Sequence, residues 1–97
     1  DAVLHCNWRS GHKEIDIIAK ERDVLVFVEV KSRASEQYGN AADAVDDNKI
    51  RLLISAAQSY ILKYKLDSRF RFDIITVIGR CEPYRIEHIE DAFAPQW

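Results

Sequence analysis

The sequence lacks several features that would assign it to a class at once. It has only two cysteines, Cys6 and Cys81, which are too few for a disulfide framework and lack the spacing of metal ligands. We therefore expect both to be reduced, semi-buried thiols. No apolar run approaches the roughly 20 residues that span a bilayer, and no signal-peptide pattern opens the chain. We expect a cytoplasmic protein with no membrane partner.

An excess of positive charge is missing too. The net charge is −2, whereas proteins that bind nucleic acids without selectivity are usually basic. Basic residues nevertheless collect around the two central strands defined below, namely Arg9, Lys13, Lys31, Arg33, Lys49 and Arg51. A local basic surface and an ordinary mixed surface both fit this distribution. A glycine-rich phosphate loop, a Ser/His/Asp set and a CxxC pair are also absent from the sequence, which removes those routes to catalysis.

What is present fits one domain over residues 1–97, a length that allows a modest core. The chain starts at Asp1 and contains no methionine, so we expect a natural N-terminus upstream of it. Short β-branched stretches predict strands, and helical spacing after the candidate N-caps Asp43 and Asp46 predicts a helix. The predicted strands cover 2–9, 14–20, 24–31, 70–78 and 84–89, and the helix runs from about Asp46 to Tyr64.

The order β-β-β-α-β-β indicates an α/β protein with a mixed central β-sheet, because the helix is the crossover that a parallel pairing requires. Side-chain alternation fixes the register of the hairpin between the second and third strands, since a slip by one residue would put charges on both faces. With a two-residue loop at Arg22-Asp23, this register makes three cross-strand pairs: Ile18 with Phe27, Asp16 with Glu29 and Glu14 with Lys31.

Two carboxylates and a lysine then share one face of the hairpin. The Cβ atoms of Asp16 and Glu29 lie roughly 5 Å apart in this register, where two ionised carboxylates repel by about 3 kcal/mol at an effective dielectric of about 20. A proton, an intervening basic group or a bound cation resolves the repulsion. Oxygen ligands in this arrangement suit Mg²⁺ or Mn²⁺, and Lys31 is within reach of a bound phosphate. The alternative is a structural ion-pair cluster with a Glu14–Lys31 salt bridge.

The helix adds a further candidate. Lys49 falls within an apolar face made of Val45, Leu52, Leu53, Ala56 and Tyr60. It either extends along that face to water or reaches the charged end of the hairpin, where it joins the site. Asp73, two residues after Arg71 on the fourth strand, is expected to neutralise a neighbouring arginine.

Taken together, these segments resemble the YraN-like family of bacterial proteins, a branch of the PD-(D/E)XK nuclease superfamily. The resemblance covers nearly the whole chain. It is carried by Asn7-Trp8-Arg9, 14–19 (EIDIIA), 26–33 (VFVEVKSR), Ala44-Val45, Lys49, 56–60 (AAQSY), Arg71-Phe72-Asp73 and Ala92-Phe93. Two positions depart from the family pattern: Lys13 stands where a glycine is usual, and Arg22-Asp23 stands where Asp-Gly is usual.

The resemblance implies a restriction-endonuclease-like or tRNA-endonuclease-like fold with an additional first helix upstream of Asp1. It implies that Asp16 and Glu29 bind Mg²⁺ or Mn²⁺ with help from the Val30 carbonyl, and that Lys31 is catalytic. Glu14 and Lys49 complete the expected catalytic group. The implied function is metal-dependent hydrolysis of phosphodiester bonds in DNA, in branched or repair intermediates.

Two alternatives stay open at this point. One is a non-catalytic module that binds nucleic acid or protein and retains a nuclease fold. The other is a structural oligomer with no role in nucleic-acid chemistry. A homodimer is a further expectation.

Overall fold

Five β-rich segments form one sheet whose strands lie side by side in chain order. The computed structural model describes residues 2–34 and 47–93. The elements are β1 Ala2–Ser10, β2 Lys13–Glu21, β3 Val24–Arg33, α1 Asp47–Lys63, β4 Arg69–Ile78 and β5 Arg85–Phe93. The predicted β-β-β-α-β-β order is confirmed.

The direction of the strands follows from their connections. Tight turns make β1–β2 and β2–β3 antiparallel, and β4–β5 is antiparallel as well. β3 and β4 are parallel, and α1 lies between them in the chain as the crossover that parallel pairing requires. The predicted mixed sheet is therefore confirmed. Over the ranges that the structure describes, no helix is both long and apolar enough to cross a lipid bilayer.

The predicted hairpin register is confirmed near the turn and ends early. Ile18 is opposite Phe27, and the β2–β3 ladder runs from Glu21–Val24 to Ile17–Val28. Beyond that last pair, β2 stays paired with β1 as far as Lys13, and β3 stays paired with β4 as far as Arg33. The sheet therefore splits between β2 and β3 at the end away from the turn. Asp16 and Glu29 are the first residues of the two strands beyond the last pair, Ile17–Val28.

The core lies between α1 and one face of the sheet. Phe27, Phe72, Ile18 and Ile74 are almost fully buried there, and each such side chain contributes about 1.5–3 kcal/mol by leaving water. The ring of Tyr60 from α1 meets Trp8 of β1 and Phe27 of β3 edge-on, with 5.3 Å and 5.8 Å between ring centroids. This packing fixes α1 over the hairpin.

The helix face differs from the prediction at its margin. The buried residues of α1 are Leu53, Ile54, Ala56, Ala57 and Tyr60, whereas Leu52 is 45% exposed. Placing Leu52 in the apolar face was wrong, because it lies one residue, or about 100° around the helix, from Leu53. The helix ends at Lys63 rather than Tyr64. Val45 and the N-cap candidates Asp43 and Asp46 lie outside the described residues.

Two other expectations need correction. β5 continues to Phe93 instead of ending at residue 89, because Asp91 adopts a left-handed φ of 52° and the strand then resumes pairing opposite Phe72. Both cysteines are exposed rather than semi-buried. Cys6 belongs to the edge strand β1, and Cys81 lies in the connection between β4 and β5.

Candidate metal centre

The split between β2 and β3 brings the first carboxylate against the third strand. Oδ2 of Asp16 accepts a hydrogen bond of 2.9 Å from the backbone N–H of Val30. A backbone carbonyl of β2 would accept from this N–H if the antiparallel ladder continued. The side chain of Asp16 thus replaces a ladder bond, and the sheet opens at this residue without leaving the Val30 donor unpaired.

The backbone of Val30 is turned toward the same gap. In an extended strand the N–H and the C=O of one residue point to the same side, as antiparallel pairs that exchange both bonds require. Because the Val30 N–H reaches Asp16, the Val30 carbonyl is also directed toward β2. The predicted third oxygen ligand therefore faces the opening beside Asp16.

Glu29 supplies a buried and only partly neutralised carboxylate. Its side chain is 5% exposed, and Oε1 lies 3.4 Å from Nζ of Lys31 and 3.6 Å from Nζ of Lys49. Oε2 is buried and has no hydrogen-bond partner within residues 2–34 and 47–93. Burial and the nearby carboxylate of Asp16 raise the pKa of Glu29, and the two lysines offset part of that rise.

A divalent cation fits these groups. An unpartnered buried oxygen costs roughly 1–3 kcal/mol, and a cation at Oε2 of Glu29 would satisfy it and relieve the repulsion from Asp16. Among the described residues no group of three His, Cys, Asp or Glu side chains converges on one point. The protein ligands would be two carboxylates and the Val30 carbonyl, a set that suits Mg²⁺ because this ion retains several waters and binds phosphate oxygens.

The structure brings both lysines to the carboxylate. Lys31 lies two residues beyond Glu29 on the same face of β3, and Lys49 reaches it from the first turns of α1. Each lysine side chain is about one third exposed, at 35% and 36%, so both lysines lie at the boundary between the buried carboxylate and solvent. Of the two alternatives left open for Lys49, the structure shows the one in which it reaches the charged end of the hairpin.

Glu14 lies elsewhere. Its predicted partner was Lys31, but its carboxylate is 3.9 Å from Nε of Arg9 on β1, with both side chains substantially exposed. The expected pairing was wrong because the β2–β3 ladder begins only at Ile17 of β2. The residues of β2 before Ile17 pair with β1 alone, where Arg9 is opposite Glu14. Glu14 thus stands on the β1 side of the split.

The sequence reasoning missed Thr76. Thr76 is fully buried on β4, and its hydroxyl has no hydrogen-bond partner in the described part of the chain. It lies beside Lys31 in the parallel β3–β4 register. A hydroxyl residue inside the apolar run IITVI (74–78) was the signal that could have indicated it.

A second polar cluster occupies the opposite face of the sheet. Asp73 accepts a 3.0 Å hydrogen bond from Nε of Arg71, as expected, and also contacts Nε2 of His88 at 2.7 Å and the backbone N–H of Asp91 at 3.0 Å. Burial alone would raise the pKa of Asp73, but these hydrogen bonds lower it below its ordinary value. The cluster borders a groove of about 390 Å³ that is lined mainly by apolar residues such as Ile17 and Val28, together with Lys20 and Glu21.

Comparison with known proteins gives a consistent result. Residues 2–77 match the family model described as "Uncharacterised protein family UPF0102". A UPF0102 protein of Phocaeicola vulgatus is 47% identical over 94 residues, which cover 97% of this chain and 78% of that protein. One from Flavobacterium psychrophilum is 45% identical over 92 residues, covering 95% and 77% of the two chains. The expected YraN-like relationship is confirmed, and the chain belongs to the UPF0102 family.

Proposed function

We propose that the protein is a nuclease that hydrolyses phosphodiester bonds in DNA with a divalent cation held by Asp16, Glu29 and the Val30 carbonyl. The observation that carries the proposal is Oε2 of Glu29, a buried carboxylate oxygen that lies beside a second carboxylate and has no hydrogen-bond partner in residues 2–34 and 47–93. A structural ion pair would satisfy both oxygens of a buried carboxylate. A cation site instead leaves one carboxylate oxygen available to coordinate the cation.

The two lysines account for the rest of the chemistry. A Mg²⁺ or Mn²⁺ ion, when bound, would stabilise negative charge on the phosphate and activate water. Lys31, close to Glu29 and partly exposed, would orient the attacking water and offset charge that develops on the phosphoryl oxygens. Lys49, which approaches from α1, would bind a phosphate oxygen as a point charge. Both lysines would exchange their contact with Glu29 for the substrate.

DNA is the substrate class that the family resemblance implies. The positive charge of Lys31 and Lys49 beside Glu29, with Lys13 at the start of β2, supports an anionic polymer that enters along the open end of the hairpin. Phosphate contacts of this kind position a nucleic acid without reading its sequence. Recognition of branched or repair intermediates by shape agrees with this reading.

Titration calorimetry with Mn²⁺ tests the cation site. The wild type is expected to bind one Mn²⁺, and Glu29→Gln and Asp16→Asn are expected to abolish binding, since each removes a charged oxygen ligand. Glu14→Gln is the matched control and should bind like the wild type, because Glu14 pairs with Arg9. Absence of binding to the wild type, or equal binding by Glu29→Gln, would overturn the proposal.

A DNA-binding module without catalysis is the second candidate. The convergence of Lys31 and Lys49 on one carboxylate favours it, since two ammonium groups can hold a phosphate whether or not a cation is bound. This candidate predicts salt-sensitive DNA binding that persists in Glu29→Gln and no cleavage by the wild type.

A further inference from the structure

Two buried oxygen atoms that have no hydrogen-bond partner in the described part of the chain lie at the same end of the core-facing side of the sheet. They are Oε2 of Glu29 and Oγ1 of Thr76, and both belong to side chains at least nine-tenths buried. Buried polar side-chain atoms are paired in the large majority of cases, so each exception needs an explanation. One explanation that serves both atoms is a small group bound between them.

The register of the sheet places the two residues as diagonal neighbours. Glu29 is opposite Ile74, and Lys31 is opposite Thr76, in the parallel β3–β4 pair. Side chains at such pairs share a face, and diagonal neighbours lie about 7–8 Å apart at Cα and closer at Cβ. The carboxylate of Glu29 lies 3.4 Å from Nζ of Lys31, a residue in the same cross-strand row as Thr76.

The two atoms have complementary hydrogen-bonding needs that a molecule between them can meet. The Thr76 hydroxyl needs an acceptor, and Oε2 of Glu29 needs a donor or a cation. A water molecule between them would accept from Thr76 and donate to Glu29, and Lys31 is available as a third partner. A buried water is stable with two to four such partners. A carboxylate oxygen offers two lone pairs, so Oε2 would remain able to bind a cation.

We propose that Thr76 is a positioning residue for the metal site, whose hydroxyl holds the Glu29 carboxylate in its metal-binding orientation through one bridging water. The proposal rests on the metal-dependent function proposed above. Groups that hydrogen-bond a metal ligand fix its orientation, and their loss typically lowers metal affinity by 10-fold to 100-fold. Thr76 thus acts on the cation through Glu29 and does not touch the substrate.

The test compares Thr76→Val and Thr76→Ser with the wild type in Mn²⁺ titration calorimetry and in thermal unfolding without metal. Valine keeps the shape and removes the hydroxyl, so the affinity should fall about tenfold or more, while the melting temperature of the metal-free protein should not fall. Serine keeps the hydroxyl and should retain the wild-type affinity within about twofold. Rescue by serine separates positioning from packing.

The outcomes distinguish this proposal from the one on which it rests. Wild-type affinity in Thr76→Val, or equal loss in Thr76→Val and Thr76→Ser, would overturn the role of the hydroxyl and leave the metal site standing. A wild type that binds no Mn²⁺ would overturn both proposals. A lower melting temperature of metal-free Thr76→Val would show that the hydroxyl stabilises the fold itself, which also contradicts the positioning role.

Discussion

Replacing Glu29 with glutamine should stabilise the metal-free protein. The change replaces a buried carboxylate, whose Oε2 has no hydrogen-bond partner among the described residues, with a neutral amide. A buried polar atom without a direct partner costs roughly 1–3 kcal/mol and more when it is charged, so removing the charge should recover about 2 kcal/mol. The change also weakens two ion pairs to partly exposed lysines, which are worth about 0.5 kcal/mol each. The net gain in the free energy of unfolding is about 1 kcal/mol, or about 4–8 °C in melting temperature for a domain of this size.

The pH dependence of the free energy of unfolding also predicts that Glu29→Gln is more stable than the wild type at pH 7. The pKa of Glu29 is raised above its ordinary value of 4.5, chiefly by burial and then by Asp16, so the folded state holds this proton more tightly than the unfolded state. The free energy of unfolding of the wild type therefore falls as pH rises from about 4.5 through the raised pKa. Glu29→Gln lacks this contribution, so its advantage should be present at pH 7 and vanish below pH ~4.

Thermal unfolding followed by circular dichroism measures the effect, first with EDTA and then with excess Mn²⁺. Metal at about 100 times its dissociation constant should stabilise the wild type by about 2.7 kcal/mol and leave Glu29→Gln unchanged, so the order of stability reverses. Glu14→Gln serves as the control and should stay within about 0.5 kcal/mol of the wild type. A Glu29→Gln variant that is clearly less stable than the wild type in EDTA would refute the reasoning and identify Glu29 as a structural ion-pair partner.

Two further predictions concern the fold. Asp73→Asn should lose about 2–3 kcal/mol at pH 7, because a fully buried carboxylate accepts from Arg71. The pKa of Asp73 lies below its ordinary value of 3.8, so urea titrations should show this difference above pH ~4 and its loss as pH falls further. A variant as stable as the wild type at pH 7 would contradict this. Arg22→Gly should raise stability by about 1 kcal/mol, because Arg22 has a left-handed φ of 56° that costs 1–2 kcal/mol in residues other than glycine. A loss of stability in urea would contradict that strain.

The sequence was sufficient to predict the element order, the mixed sheet and the register near the turn of the central hairpin. Alternation could do this because a slip by one residue would put charges on both faces of the hairpin. It could not show where the β2–β3 ladder ends, since alternation is identical in paired and unpaired strands. The end of the ladder depends on Asp16, whose side chain replaces a backbone acceptor. For the same reason Glu14 was placed with Lys31 rather than Arg9.

The missed residues share another cause. Thr76 becomes a candidate through its position beside Lys31 on a strand distant in the chain, and local patterns carry no information about such neighbours. The contacts of Asp73 with His88 and Asp91 depend on the irregular pairing of β4 with β5. No turn motif in the sequence predicts this irregularity. Lys49 was recognised as a candidate because a charged residue within an apolar helix face stands out in the sequence itself.

Cleavage by the full-length protein tests the central claim most directly. Labelled duplex, flap, four-way junction and single-stranded DNA would be incubated with wild type and Lys31→Ala in Mn²⁺. We expect the wild type to cleave at least one substrate and Lys31→Ala to cleave it at least about 10²-fold more slowly, with Mn²⁺ binding retained. No cleavage of any substrate by wild type with Mn²⁺ bound, or equal cleavage by Lys31→Ala, would contradict the account.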